Sequence, residues 1–162
     1  MQRIGQGWDR HPLAAGRVCV LGGVIFADCP VGPVGHSDGD AICHAVIDAL
    51  LGAAGLGDIG EMFPDTDPRL AGADSLNLLV LAWAEVAARG WQLGNLDVTA
   101  ITEQPRLAPR RAEIAARLAG ALGVAADRVS VKATRGEGLG PEGRGECVTA
   151  LAVVLLTREE GS

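Results

Sequence analysis

The sequence predicts an α/β fold of the α+β type: two layers, with a mixed β-sheet covered by helices on one face. Three observations carry this. Strand-like and helix-like runs follow in the order strand, hairpin, helix, helix, strand, helix, strand, strand, and helices on one face of a mixed sheet is the natural way to bury such a set. The chain has 162 residues, 48% hydrophobic and 21% charged, which suits a single domain over 1–162 with its own core. Residues 151–156 are apolar without alternation, which reads as a strand buried on both faces, in part by another subunit.

The elements can be justified in order. Residues 3–7 open a strand that ends at Trp8-Asp9-Arg10-His11-Pro12. Residues 18–21 and 24–27 flank Gly22-Gly23 and read as a hairpin. Residues 32–35 read as loop. Ser37, with Asp40 three residues on, resembles a capping box with Asp in the Glu position, so a helix starts there. It runs through Leu51 and stops at Gly52 or Gly55. Residues 57–67, GDIGEMFPDTD, form a turn-rich connection. Ser75 opens a second helix that ends at Arg89, closed by Gly90. Residues 91–102 read as a strand. A third helix spans 109–122, with Pro109 at its start and Gly123 at its end. Residues 128–133 are a strand, 136–145 a Gly-rich loop, and 147–157 the last strand.

Composition excludes several function classes. The net charge is −6, and the basic spots (Arg106, Arg110, Arg111) are short, so no nucleic-acid partner is expected. Three Trp, two Phe and no Tyr make a base-stacking platform implausible. No apolar run approaches the ~20 residues of a membrane helix, and MQRIGQGWDR lacks the apolar core of a signal peptide. Cys19, Cys29, Cys43 and Cys147 form no C-x-x-C pair; they read as buried, inert thiols of a reduced compartment, so a cytoplasmic protein is expected.

Candidate chemistry starts at Asp9-Arg10-His11. Side chains two apart on a strand share a side, so a carboxylate and an imidazole converge. With His44 they make an Asp, His, His set that suits Zn²⁺ with an open fourth position; an ordinary surface D-x-H pair is the competing reading. His36, Ser37, Asp38 and Asp40 surround a helix start, where unpaired amides welcome a phosphate or the residues simply cap. Asp40 and Asp48 lie four residues either side of His44, and either can orient its ring. Asp58, Asp65 and Asp67 serve turns or bind the hydroxyls of a sugar or polyol. Lys132 to Glu137 (KATRGE) is an exposed charged turn or a diphosphate site in which Glu137 holds Mg²⁺.

The stretch SDGDAICHAVIDALLG from Ser37 to Gly52 resembles the signature of the 2-C-methyl-D-erythritol 2,4-cyclodiphosphate synthases of the non-mevalonate isoprenoid pathway. Asp9-Arg10-His11, His36, Gly57-Asp58-Ile59-Gly60, Phe63-Pro64-Asp65-Thr66-Asp67, Gly72-Ala73-Asp74-Ser75, Gly94-Asn95-Leu96-Asp97-Val98, Lys132-Ala133-Thr134 and Gly143-Arg144-Gly145-Glu146 follow in that family's order and spacing. The resemblance implies a homotrimer with active sites between subunits, and a phosphorus–oxygen lyase that closes a cyclic diphosphate and expels CMP. It implies a divalent metal, usually zinc, on Asp9, His11 and His44, and a second ion, Mg²⁺ or Mn²⁺, at the substrate's diphosphate near Glu137.

For the cytidine diphosphate substrate it implies His36 and Ser37 at the diphosphate or methylerythritol, and Asp58, Ile59 and Gly60 at the ribose. Phe63, Asp65 and Asp67 would line the methylerythritol pocket. Thr102, Glu103, Gln104 and Pro105 would hold cytosine, chiefly by backbone, joined by Arg106. Lys132, Thr134 and Arg144 are further substrate contacts, and His36, Arg135 and Glu137 are the catalytic candidates. The chain departs from the family pattern at four places. Gln6 stands where His is common and is expected beside the metal ligands. Arg135 stands where the family carries a Thr credited with transition-state stabilisation. Pro141 replaces Phe, and Glu103-Gln104 replaces Gln-Ala. A trimeric relative that binds zinc and nucleotide without turnover is the alternative, and Arg135 is its support. A zinc phosphohydrolase accounts for the ligand set but not for the motifs along the rest of the chain.

Overall fold

The computed structural model describes residues 1–159. A five-stranded mixed sheet has the order β4-β1-β7-β5-β6. β1 (Gln2–Ala15) pairs antiparallel with β7 (Cys147–Thr157) and, at its far end, with β4 (Val31–Pro33). β7 pairs antiparallel with β5 (Gln92–Ile101), and β5 pairs parallel with β6 (Val129–Thr134). A separate hairpin joins β2 (Val20–Leu21) to β3 (Val24–Ile25). The helices are α1 (Ala41–Ala54), α2 (Ile59–Met62), α3 (Ser75–Ala87), α4 (Arg111–Leu122) and α5 (Gly140–Gly143). No helix among the described residues is long and apolar enough to cross a membrane.

α1 lies on β1 and β7 and forms the centre of the core, with Ile42, Val46, Ile47 and Leu50 fully buried. Two glycines let it approach. A Cβ on Gly5 would lie 1.9 Å from the Ala49 carbonyl oxygen, and one on Gly7 would lie 1.8 Å from that of Ala45. Only residues without side chains fit under the helix there, so it settles directly on the strand.

The start of α1 is set by Asp40. Its fully buried carboxylate accepts the amides of Ile42 and Cys43 at 3.1 Å, and those of Gly22 and Gly23 at 2.8 and 2.7 Å. A buried carboxylate needs such donors, and here they tie the hairpin to the helix end. Burial pushes the Asp40 carboxyl up, against the pull of these amides. Gly22 and Gly23 both have positive φ (61° and 71°), as the tight hairpin turn requires.

The expected fold class holds in its main lines, with local corrections. The helix cap is Asp40, not Ser37. β1 extends to Ala15, and its end pairs with Val31–Pro33, of which Gly32 and Pro33 are expected as loop. The turn-rich and Gly-rich connections contain the short helices α2 and α5. β7 has the expected bounds, but this chain covers one of its faces completely and leaves the other partly open from Leu151 to Leu155. Val148, Ala150, Ala152, Val154 and Leu156 are completely buried, whereas Val153 is 43% exposed. Ile4, Gln6 and Trp8 lie opposite Leu155, Val153 and Leu151 on that open face. Ile4 is 75% exposed and Trp8 51%. Gln6 therefore faces away from the helices and is not beside the metal ligands expected at Asp9 and His11.

Candidate metal centre

The two-residue period of β1 turns Gly5, Gly7, Asp9 and His11 toward the helices. The glycines seat α1, and the next two side chains meet His44 from that helix. Asp9 Oδ2 lies 2.9 Å from His11 Nε2 and 3.2 Å from His44 Nδ1, and the two ring nitrogens are 2.9 Å apart. Ligand atoms at ~2.0–2.1 Å from a tetrahedral zinc stand about 3.3 Å from one another, so a small expansion admits an ion. Asp9 Oδ2 is buried and has no partner in hydrogen-bond geometry despite its two close nitrogens. A buried, orphaned carboxylate oxygen facing two imidazole nitrogens fits a cation.

The partners of the rings fix which nitrogens carry lone pairs. His11 Nδ1 lies 2.9 Å from the Val34 carbonyl, which only accepts, so Nδ1 donates and Nε2 is free to ligate. Ser75 donates its one hydroxyl proton to Asp38 Oδ1 at 2.5 Å. His44 Nε2, 2.8 Å from that Ser75 Oγ, must then donate to it, which leaves the lone pair on Nδ1. Ser37 Oγ stands 3.1 Å from the same nitrogen. Both lone pairs thus point at Asp9. Burial works against charge at Asp9, but the His11 and His44 rings outweigh it and hold the carboxyl well below the usual range. Burial likewise lowers His11, and Asp9 outweighs it and raises the imidazole. A metal ion taking this place would compete with the proton for His11 Nε2.

Asp40 and Asp48 do not orient His44. Asp40 caps the helix, and Asp48 accepts the Ile59 amide at 2.8 Å. Ser75 and Asp38 do that work, a role the sequence assigns to neither: it offers Asp38 only as part of a helix start and Ser75 only as a helix opener. Each sits in a recognisable motif, but nothing in the sequence links positions 37 residues apart. Ser75→Ala is expected to weaken metal binding about 10–100-fold, read by competition with a chromophoric chelator. An unchanged affinity would mean that Ser37 alone suffices to hold the ring.

A cavity of about 410 Å³ opens at this cluster. It brings together His11, His36, Ser37 and His44 with Ile59, Gly60, Phe63 and Asp65 from the expected list. Asp58 caps α2 through the Glu61 amide at 2.9 Å. Asp67 caps the turn at Pro68–Leu70 and pairs with Arg69 at 2.6 Å, while its carbonyl lies 3.1 Å from His36 Nε2. The remaining candidates lie elsewhere. Thr102, Glu103, Pro105, Arg106, Thr134 and Arg135 line a second cavity of about 160 Å³. Gln104 lines an adjoining one of about 480 Å³. Lys132 pairs with Asp97, and Arg144 with Glu146 at 2.7 Å. Glu137 sits at φ 52°, and these last three line none of the three cavities. Within one chain the candidate site is in two halves.

Fold and site together define an α/β protein with an Asp, His, His group of the kind that can hold a metal ion. Residues 2–157 match the model of the YgbB family, and the chain belongs to that family. It is 55% identical over 157 residues to a bifunctional enzyme IspD/IspF of Anaeromyxobacter dehalogenans, covering 97% of this chain and 40% of that protein. It is 51% identical over 156 residues to a 2-C-methyl-D-erythritol 2,4-cyclodiphosphate synthase of Dechloromonas aromatica, covering 96% of this chain and 97% of that one. The chain thus spans about 40% of the bifunctional relative and nearly all of the shorter one. A solved structure of a 2C-methyl-D-erythritol-2,4-cyclodiphosphate synthase in a CDP-bound form superposes with a TM-score of 0.87 at 42% identity, over 96% of this chain and 100% of that one. The resemblance read from the motifs is borne out.

Proposed function

We propose that the chain, as one catalytic domain, converts 4-diphosphocytidyl-2-C-methyl-D-erythritol 2-phosphate to 2-C-methyl-D-erythritol 2,4-cyclodiphosphate and CMP. An oxygen of the 2-phosphate attacks the β-phosphorus, the bond from that phosphorus to the bridging oxygen breaks, and CMP leaves with that oxygen. The observation that carries this reading is the Asp9, His11 and His44 cluster, with both ring lone pairs turned to Asp9 and a cavity beside it. The synthase name borne by the Dechloromonas aromatica relative, 51% identical, supports it.

The nucleophile belongs to the substrate, so the chain's task is positioning and charge stabilisation. Zinc on the cluster, with Mg²⁺ or Mn²⁺ on Glu137, would supply Lewis-acid stabilisation of the phosphates in an otherwise acidic protein. His36 and Ser37 would hold the diphosphate end, Asp58 and Gly60 the ribose, and Phe63, Asp65 and Asp67 the methylerythritol. Thr102 to Pro105 with Arg106 would take cytosine, and Lys132, Thr134, Arg135 and Arg144 the phosphates and their surroundings. The reading includes a cytoplasmic site of action, in keeping with a water-soluble nucleotide substrate.

The reading also includes a homotrimer. Two cavities holding different halves of one site support it, because a neighbouring copy can bring the halves together. So does the open sheet face with Ile4, Trp8 and Val153. Val153→Glu should yield a folded single chain by sedimentation, without turnover; a parent that sediments as one chain would refute the trimer.

The reaction is tested with that substrate by phosphorus NMR, with and without a chelator. Chelator-sensitive CMP release with a cyclic diphosphate signal is expected. Zinc binding and CDP binding without turnover would favour the inactive relative, and release of inorganic phosphate would favour a phosphohydrolase.

A further inference from the structure

One carboxylate ties the loop after β5 to the loop after β6. Glu103 Oε2 accepts from Arg135 Nε at 2.9 Å and also from Arg135 Nη2, while Glu103 Oε1 accepts the Glu137 amide at 3.0 Å. The Glu103 side chain is only 14% exposed. Among the described residues Glu137 is the one non-glycine with a positive φ. A residue with a side chain keeps that conformation when its surroundings impose it. Gly136, packed on the Gly143 backbone, holds one side of this loop, and Glu103 holds the other. The exposed Arg144–Glu146 pair differs: both side chains are more than half solvent-facing, and the side-chain hydrogen bonds described for them are to each other.

We infer that Glu103 is a positioning residue of the reaction: its carboxylate fixes the backbone that carries Glu137 and neutralises Arg135 in the same act. The role rests on the proposed function, in which the loop of Glu103 takes the nucleobase and Glu137 holds the ion at the diphosphate. Glu103 then joins nucleobase binding to phosphate placement. Its carboxylate acts through Glu137 and Arg135, while the backbone of the same loop faces the nucleobase. The nucleobase loop itself has other supports: Thr102 donates its amide to the Thr134 carbonyl at 3.2 Å and its hydroxyl to the Gln104 carbonyl at 2.5 Å.

The test compares parent, Glu103→Ala and Glu103→Gln in kcat, KM and CDP affinity, with bound zinc as the check on folding. Displacement of a reacting group by about 1 Å costs up to about 100-fold, so Glu103→Ala should lose kcat on that scale while KM and the CDP dissociation constant stay within about threefold. Glu103→Gln keeps an oxygen for the Glu137 amide and should recover about tenfold of the loss. An indifferent Glu103→Ala in an active parent overturns the role alone. So does a Glu103→Gln as impaired as the alanine variant, or a CDP affinity that falls in step with kcat. A parent without turnover overturns the proposed function and this role with it.

Discussion

His44→Ala should leave the protein folded and strip it of both zinc and nearly all turnover. His44 supplies one of three ligand atoms within 4.8 Å of one another, and the other two come from a single strand. Asp9 and His11 alone leave two positions of a tetrahedral ion to water, and catalytic zinc sites use three protein ligands. The loss of a charge stabiliser in an active site costs about 10²–10³-fold in kcat, and the loss of the ion itself costs at least that. Folding should survive because His44 lies at the rim of the core, and the apolar face of α1 is carried by Ile42, Val46, Ile47 and Leu50. Metal analysis and turnover on the same sample read both effects. Retained zinc with normal turnover would refute the ligand assignment.

Gly7→Ala should have the largest effect on stability and should damage the metal site from a distance. The new Cβ would stand 1.8 Å from the Ala45 carbonyl oxygen and 2.8 Å from the Ala49 amide nitrogen. These are backbone atoms of α1, so no side chain can rotate away, and the helix must lift by about 1.5 Å to restore ordinary contact. Overpacking of this kind costs about 1–3 kcal/mol or more. Because His44 is the neighbour of Ala45, the same movement carries its ring away from Asp9 and His11. Thermal unfolding and zinc affinity should both fall. Gly52→Ala on the same helix is the control: nothing lies within 4 Å of its added Cβ, so the change should stabilise by about 0.5–1 kcal/mol. A Gly7→Ala protein with parental stability and zinc affinity would show that α1 does not rest on β1 as described.

Much of this was legible from local pattern. The Gly-Gly hairpin, the last strand at Cys147–Thr157 and the stop of the first helix at a glycine all follow from residue type and spacing. Of the two candidate stops, Gly55 is the real one because it alone takes the left-handed conformation, at φ 72°. What local pattern could not supply was any choice decided by distant partners. Ser37 and Asp40 are both good caps; Asp40 takes the role beside the hairpin amides of Gly22 and Gly23. Val31–Pro33 becomes a strand only because the far end of β1 offers it an edge.

The site followed the same rule. Asp9, His11 and His44 could be chosen from strand period and ligand chemistry, helped by the resemblance. The Asp38–Ser75 relay that sets the His44 tautomer joins two helix starts that the sequence leaves unconnected. Gln6, expected beside the metal ligands, lies out of phase with Asp9 and His11 on β1, so the alternation of the strand turns it to the opposite face.

The central claim is that three side chains of this chain hold one metal ion on which turnover depends. The most direct test is a zinc titration of metal-free protein, with binding measured by calorimetry and cyclic diphosphate formation measured on the same aliquots. One ion per chain, with turnover rising linearly and breaking at one equivalent, is the predicted result. Full turnover in the metal-free protein, or a break that persists in His44→Ala, would contradict it.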